Sequence, residues 1–125
     1  MEYLCRRLEE EELEELQAKM MRNLFRGRVL ERYRLLGKYH TIAIDGCYVH
    51  SFDYEHCEHC LAREDQKGKK RWFHAKLQAS LVTATGLCLP MASEWIENEK
   101  NYVKQDCELR AFYRLIKKLR KQYSR

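Results

Sequence analysis

The hydrophobic period of this chain changes twice, and those changes restrict the fold more than any composition figure does. From Leu4 to Leu36 the apolar residues Leu8, Leu13, Leu16, Met20, Leu24, Leu30 and Tyr33 recur every three or four positions, which lines one face of a helix. From Tyr39 to Trp95 the pattern becomes strand-like: TIAID with CYVHSF, then WFHAKLQASLVTA, then LCLPMASEWI, all rich in β-branched and aromatic residues. After Glu99 the helical spacing returns with Leu109, Phe112, Ile116, Leu119 and Tyr123. The order helix, three strands, helix predicts an α+β chain, with a helical N-terminal segment over residues 1–37 and a sheet-bearing part over residues 38–125.

Local signals refine this outline. Gly27 is a candidate break within the first helix and Gly37 its stop. Acids gather in the first half of that stretch and arginines in the second, which complements a helix dipole and reads first as a solvated face. Thr85-Gly86 predicts a tight hairpin between the second and third strands. Asp106 stands where the last helix needs an N-cap, and Lys117, Lys118, Arg120 and Lys121 are expected on its outer face. Three antiparallel strands and a helix leave a sheet with uncovered area.

A chain of 125 residues suits one domain. Its net charge of +5 permits a polyanionic partner without requiring one. Six cysteines would suit a secreted disulfide framework, but the N-terminus MEYLCRRLEEEELEEL is acidic and has no apolar segment, so a reducing, cytoplasmic compartment is expected. No apolar run reaches the roughly 20 residues of a membrane span, and no membrane partner is expected.

Between the first two strand runs lies a polar insertion, Asp53 to Arg71, too long for a simple turn. It contains HCEHC. Cys57 and Cys60 have the C-x-x-C spacing with which two thiolates can turn toward one tetrahedral ion, and His50, His56 and His74 are candidates to complete it. His50 on the outgoing strand and His74 on the returning one are expected to face each other. A structural zinc ion, a plain thiol pair with surface histidines, and a redox dithiol all fit this spacing. Cys5, Cys47, Cys88 and Cys107 fall in helix or strand patterns and read as buried reduced thiols. Lys67, Lys69, Lys70 and Arg71 form a basic run suited to DNA phosphates. In the first strand, Asp45 interrupts an apolar run, and a carboxylate there either caps a bend at Gly46 or meets a cation.

Taken in order, AIDGCYVHSF, HCEHC, RWFHAKLQASLVT, GLCLPMASEWIEN and KQDCELRAF resemble the front of an insertion-sequence transposase of the DDE type, from about Leu30 onward. The resemblance implies a partial ribonuclease H-like fold: three-stranded antiparallel meander, His/Cys-rich insertion, crossover helix. It implies Asp45 as the first catalytic acid and a magnesium ligand in a complete domain, with DNA as the substrate of phosphoryl transfer. Self-association or a full-length transposase is the implied protein partner. The family's second Asp and its Glu would follow Arg125, and Glu94, Glu97, Asp106 and Glu108 precede the fourth strand, so an isolated chain is expected to be inactive. Cys47 stands where the resemblance leads one to expect a small or hydroxyl residue. The alternative is a non-enzymatic, zinc-stapled module that binds DNA or protein.

Overall fold

The second strand-like run becomes the longest strand and organises the rest. In the computed structural model, which describes residues 7–124, the elements are α1 (Glu10–Arg26), a 3-10 turn (Glu31–Tyr33), β1 (Thr41–Phe52), β2 (Leu61–Glu64), β3 (Lys70–Val82), β4 (Cys88–Ile96) and α2 (Glu108–Tyr123). β1 runs antiparallel along one edge of β3, from Thr41 opposite Val82 to Phe52 opposite Trp72. The other edge is shared: β4 pairs over Ala75–Val82 and β2 over Lys70–Phe73. The chain is therefore α+β, with one four-stranded antiparallel sheet. The fourth strand, β2, lies within the His/Cys-rich insertion and corrects the expectation of three strands. LARE is too short to display a period, and its pairing is set by the turn that follows. In that turn the Asp65 carboxylate accepts the backbone N–H of Lys67 and Lys69, both at 2.9 Å, and Gly68 supplies a φ of 75°.

Alternation on β3 shows where the core lies. Ala75, Leu77, Ala79 and Leu81 are buried, while Lys76, Gln78 and Ser80 between them are half-buried on the opposite face. Over the buried face α2 lays Ala111, Leu115 and Leu119, α1 adds Met21, and β4 adds Met91, Ala92 and Ile96. The buried row of α2 has strict i, i+4 spacing, with Ala111 small enough for close approach. Leu109 and Phe112 flank that row and stay exposed, so the expected stripe is rotated by about one residue. α1 departs in the same way: Leu8, Leu13, Leu16 and Met20 are exposed, and Ala18 and Met21 are buried. Both helices carry adjacent apolar rows, and period alone does not select between them.

Element ends show further differences. α1 stops at Arg26, where the N–H of Gly27 bonds Asn23 O at 2.9 Å, so Gly27 ends the helix and only the 3-10 turn Glu31–Tyr33 lies between it and β1. Gly37 serves a tight turn between Leu35 and Tyr39 with a φ of 67°. The hairpin at Thr85-Gly86 forms as expected, closed by Thr83 N–H to Leu87 O at 3.0 Å. The N-cap of α2 is Cys107, because Asp106 is drawn to Arg114 instead. Cys47, Cys88 and Cys107 are exposed, not buried, and Cys5 lies outside the described residues. No helix among the described residues is long and apolar enough to cross a membrane.

The sheet edges are treated unequally. Carbonyls on alternate residues leave a strand along one edge, and on β4 those of Met91, Ser93 and Trp95 accept hydrogen bonds from Tyr123 Oη (3.0 Å), Lys118 Nζ (2.8 Å) and Arg114 Nη2 (2.9 Å) of α2. Lys118 is thus held inward, salt-bridged to Glu14 and Glu94, and is not on an outer basic face as its position suggested. On β2 the Gln105 amide pairs with both the N–H and the C=O of Ala62, at 2.8 and 3.1 Å, in the manner of a missing strand. β1 has no strand on its outer edge among the described residues.

Candidate metal centre

The insertion folds back so that Cys57 and Cys60 meet the N-terminal half of β3. A turn closed by Cys60 N–H to Cys57 O at 3.2 Å brings the two thiols together, with their Sγ atoms 3.7 Å apart. His74 Nε2 lies 3.5 Å from each sulfur. These lengths can be set against zinc chemistry. With Zn–S near 2.3 Å and Zn–N near 2.05 Å, a tetrahedral angle places two sulfurs about 3.8 Å apart and a sulfur and nitrogen about 3.6 Å apart. The three donor atoms already stand at separations that match the edges of such a tetrahedron. His56 is a further candidate: His56, Cys57 and His74 have ligand atoms within 4.8 Å of one another, a group that does not include Cys60.

The candidate ligands separate here. His50 is opposite His74 in the strand register, as expected, but it is not among the side chains within 4.8 Å of one another. His59, also in HCEHC, turns away, its Nδ1 2.8 Å from Asn98 O. Burial pushes the Cys57 thiol above its ordinary range, and burial together with neighbouring His56 pushes His74 below its own. Neutral His74 offers a lone pair, and a cation would offset the cost of a thiolate at Cys57.

One residue that sequence reasoning missed holds this centre in place. Asn98 is buried; its Nδ2 donates to Cys60 O at 2.7 Å and its Oδ1 accepts from Asp106 N–H at 3.0 Å. Its backbone N–H bonds His59 O at 3.2 Å. Asn98 therefore ties the Cys57–Cys60 turn to the segment entering α2. A lone Asn after a strand carries no signal for this.

Asp45 stands apart from the cluster. It is exposed, pairs with Gln78 across β1 and β3, and its Oδ1 accepts the N–H of Gly46 at 2.9 Å. β1 runs unbroken through Gly46, so there is no bend to cap. Gly46 lies under the Glu108 side chain: a Cβ there would stand 2.8 Å from Glu108 Oε1, so a larger residue would displace that carboxylate. Glu108 is over the helix-covered face, and alternation puts Asp45 on the other. No metal-ligating group among the described residues includes Asp45.

The basic run decorates the β2–β3 hairpin. Lys67, Lys69, Lys70 and Arg71 are exposed; Lys69 and Arg71 share Asp53 at 3.4 and 3.9 Å, and Lys70 lies over the Trp72 ring at 5.3 Å. Next to the hairpin, Phe52 stacks on His56 with centroids 4.7 Å apart, and exposed Tyr54 follows at 5.8 Å from Phe52. Basic side chains and aromatic rings thus sit together around the Cys/His cluster. Comparison with protein-family models, curated proteins and solved structures finds no match.

Proposed function

We propose that the chain is a zinc-stapled DNA-binding domain built like the front of a DDE transposase. The observation that carries the metal is the set of 3.5 and 3.7 Å separations among Cys57, Cys60 and His74, which match three corners of a tetrahedral zinc site; His56, grouped with Cys57 and His74 but not with Cys60, completes the set by a side-chain movement toward Cys60. Zinc bound there supplies structure alone, because four protein ligands leave no open position for water or substrate. It fixes the insertion against β3 and so holds the hairpin carrying Lys67, Lys69, Lys70 and Arg71 in a defined place. Those cations bind the phosphate backbone without reading sequence.

The resemblance to DDE transposases supports a further reading, in which Asp45 is the first of several carboxylates that clamp magnesium for phosphoryl transfer. Its exposure on β1, beside a strand edge with no partner among the described residues, favours this, since an added strand bearing a carboxylate would lie next to it. The meander β1–β3–β4 followed by α2 is consistent with the ribonuclease H-like order.

The test combines metal analysis with DNA binding. Purified protein is expected to bind duplex DNA, and removal of zinc by a chelator is expected to weaken that binding. Binding unchanged after complete zinc removal would refute the staple's part in presenting the hairpin.

A further inference from the structure

At the opposite end of the sheet from the Cys/His cluster, a cavity of about 470 Å³ opens between the end of α1, the start of β1 and the end of α2. Its apolar walls come from Phe25, Leu30, Ile42, Met91 and Tyr123, and its cationic rim from Arg22, Arg26 and Arg34. Glu31 is the one acid among the lining residues, and it pairs with Arg34 at 3.5 Å and Arg28 at 3.8 Å. Arg22 and Arg26 have no carboxylate partner among the described residues. The rim therefore holds a net positive charge above an apolar floor.

Two polar atoms in the wall are unsatisfied, His40 Nδ1 and Gln122 Oε1. The identity of the first follows from its ring partner. Arg34 Nε is 3.5 Å from His40 Nε2, and arginine can only donate, so Nε2 is the accepting nitrogen. Burial, then the Arg34 charge, hold the imidazole neutral by lowering its pKa. The single ring proton is then on Nδ1, which makes it a donor without an acceptor, while Gln122 Oε1 is an acceptor without a donor. Unpaired buried polar groups of this kind are costly and call for partners.

A matching ligand needs a negative group for the guanidiniums and a flat face for the Phe25 ring, which meets the Tyr123 ring edge-to-face at 68°; an acceptor and a donor on its edge would pair with His40 Nδ1 and Gln122 Oε1 after a small side-chain shift that uncovers them. From this geometry we propose that the cavity binds a nucleotide, its phosphate on Arg22 and Arg26 and its base against Phe25. Planar guanidinium forks suit phosphate oxygens, and aromatic rings accept any base. The volume is within the range of pockets that enclose such ligands. A free nucleotide and the terminal nucleotide of a DNA strand present the same chemistry.

The probes are deoxyadenosine monophosphate, deoxyadenosine and inorganic phosphate, titrated against the full chain by calorimetry. The monophosphate is expected to bind saturably and at least about tenfold more tightly than either part, since each part forgoes one set of interactions. Arg26→Gln, an exposed change at the helix end, is expected to weaken the monophosphate about tenfold and leave the fold and the zinc content unchanged. Arg34→Gln is expected to weaken it as well, which covers the case of one variant failing to fold. Equal affinity for inorganic phosphate and the monophosphate, or no binding by any probe to folded protein, would overturn the proposal. Displacement of the monophosphate by a short 5′-phosphorylated strand assigns the site to a DNA end, and failure of that displacement assigns it to free nucleotide. Because the zinc ligands are at the far end of β1, this outcome is independent of whether the metal reading holds.

Discussion

The Nε2 of His74 lies 3.5 Å from the Sγ of Cys60, although 14 residues separate them in the chain. Strand pairing makes this approach possible: Leu61, just after Cys60, is opposite Phe73 in the β2–β3 register, so the knuckle is delivered to the start of the buried part of β3. Asn98 then fastens it from the other side. The first prediction concerns that fastening. Asn98→Ala leaves Cys60 O and Asp106 N–H unpaired in a buried place, at about 1–3 kcal/mol each. Chemical denaturation is expected to show a loss of about 2–5 kcal/mol, with weaker zinc retention under chelator competition. A loss under about 0.5 kcal/mol would mean that the clamp is not made.

A second prediction uses the Asp106–Arg114 pair, whose Nη2–Oδ2 bond is 2.6 Å. Burial alone would raise the Asp106 carboxyl, but the Arg114 guanidinium and the backbone N–H groups of Cys107 and Glu97 hold it below the usual carboxylate range. The folded value therefore lies under the unfolded one. Stability from this group is complete above about pH 4 and is lost as pH falls through the lowered folded value. Asp106→Asn is expected to lower the thermal midpoint at neutral pH and to flatten its decline between about pH 4 and pH 2. Identical acid profiles for parent and variant would contradict the assignment.

The third prediction is about DNA. Alanine at both Lys69 and Lys70 is expected to weaken duplex binding uniformly across sequences, and to reduce the slope of log affinity against log salt by about 0.9 for each phosphate that is no longer neutralised. Fluorescence anisotropy over a series of salt concentrations measures both quantities. A selective loss on one sequence, with the slope unchanged, would indicate base readout instead.

The fourth prediction concerns Asp45. No other carboxylate among the described residues joins it in a metal-ligating group. A single carboxylate cannot hold two divalent ions about 4 Å apart against their repulsion. Pure protein incubated with magnesium and supercoiled DNA is expected to leave the DNA intact, as is an Asp45→Ala control. Nicking by the parent alone would show that the site is completed by some other route, such as association of two copies.

Particular residues explain what can be read in advance. The alternation from Ala75 to Leu81 and the turn at Thr85-Gly86 are local signals, and both are legible. Cys57, Cys60, His56 and His74 are legible because thiol and imidazole are the chemically distinctive groups and C-x-x-C fixes the first pair. β2 is not, since four residues have no measurable period and their pairing depends on Asp65 closing a turn. The buried rows of α1 and α2 differ from the expected ones because Leu109 and Phe112 are as apolar as Leu115, and only packing on the sheet decides between rows. Asn98, Gln105 and Lys118 act through backbone atoms far away in sequence, which no local pattern records.

The central claim, that Cys57, Cys60, His74 and His56 form one zinc site, is tested most directly by zinc K-edge X-ray absorption on protein purified without chelators, together with metal quantification. One zinc per chain is expected, with two sulfur ligands near 2.3 Å and two nitrogen ligands near 2.0 Å, and Cys57→Ser should abolish stoichiometric binding while His50→Ala leaves it intact. Metal-free protein that is folded and stable, or a zinc shell with no sulfur, would contradict it.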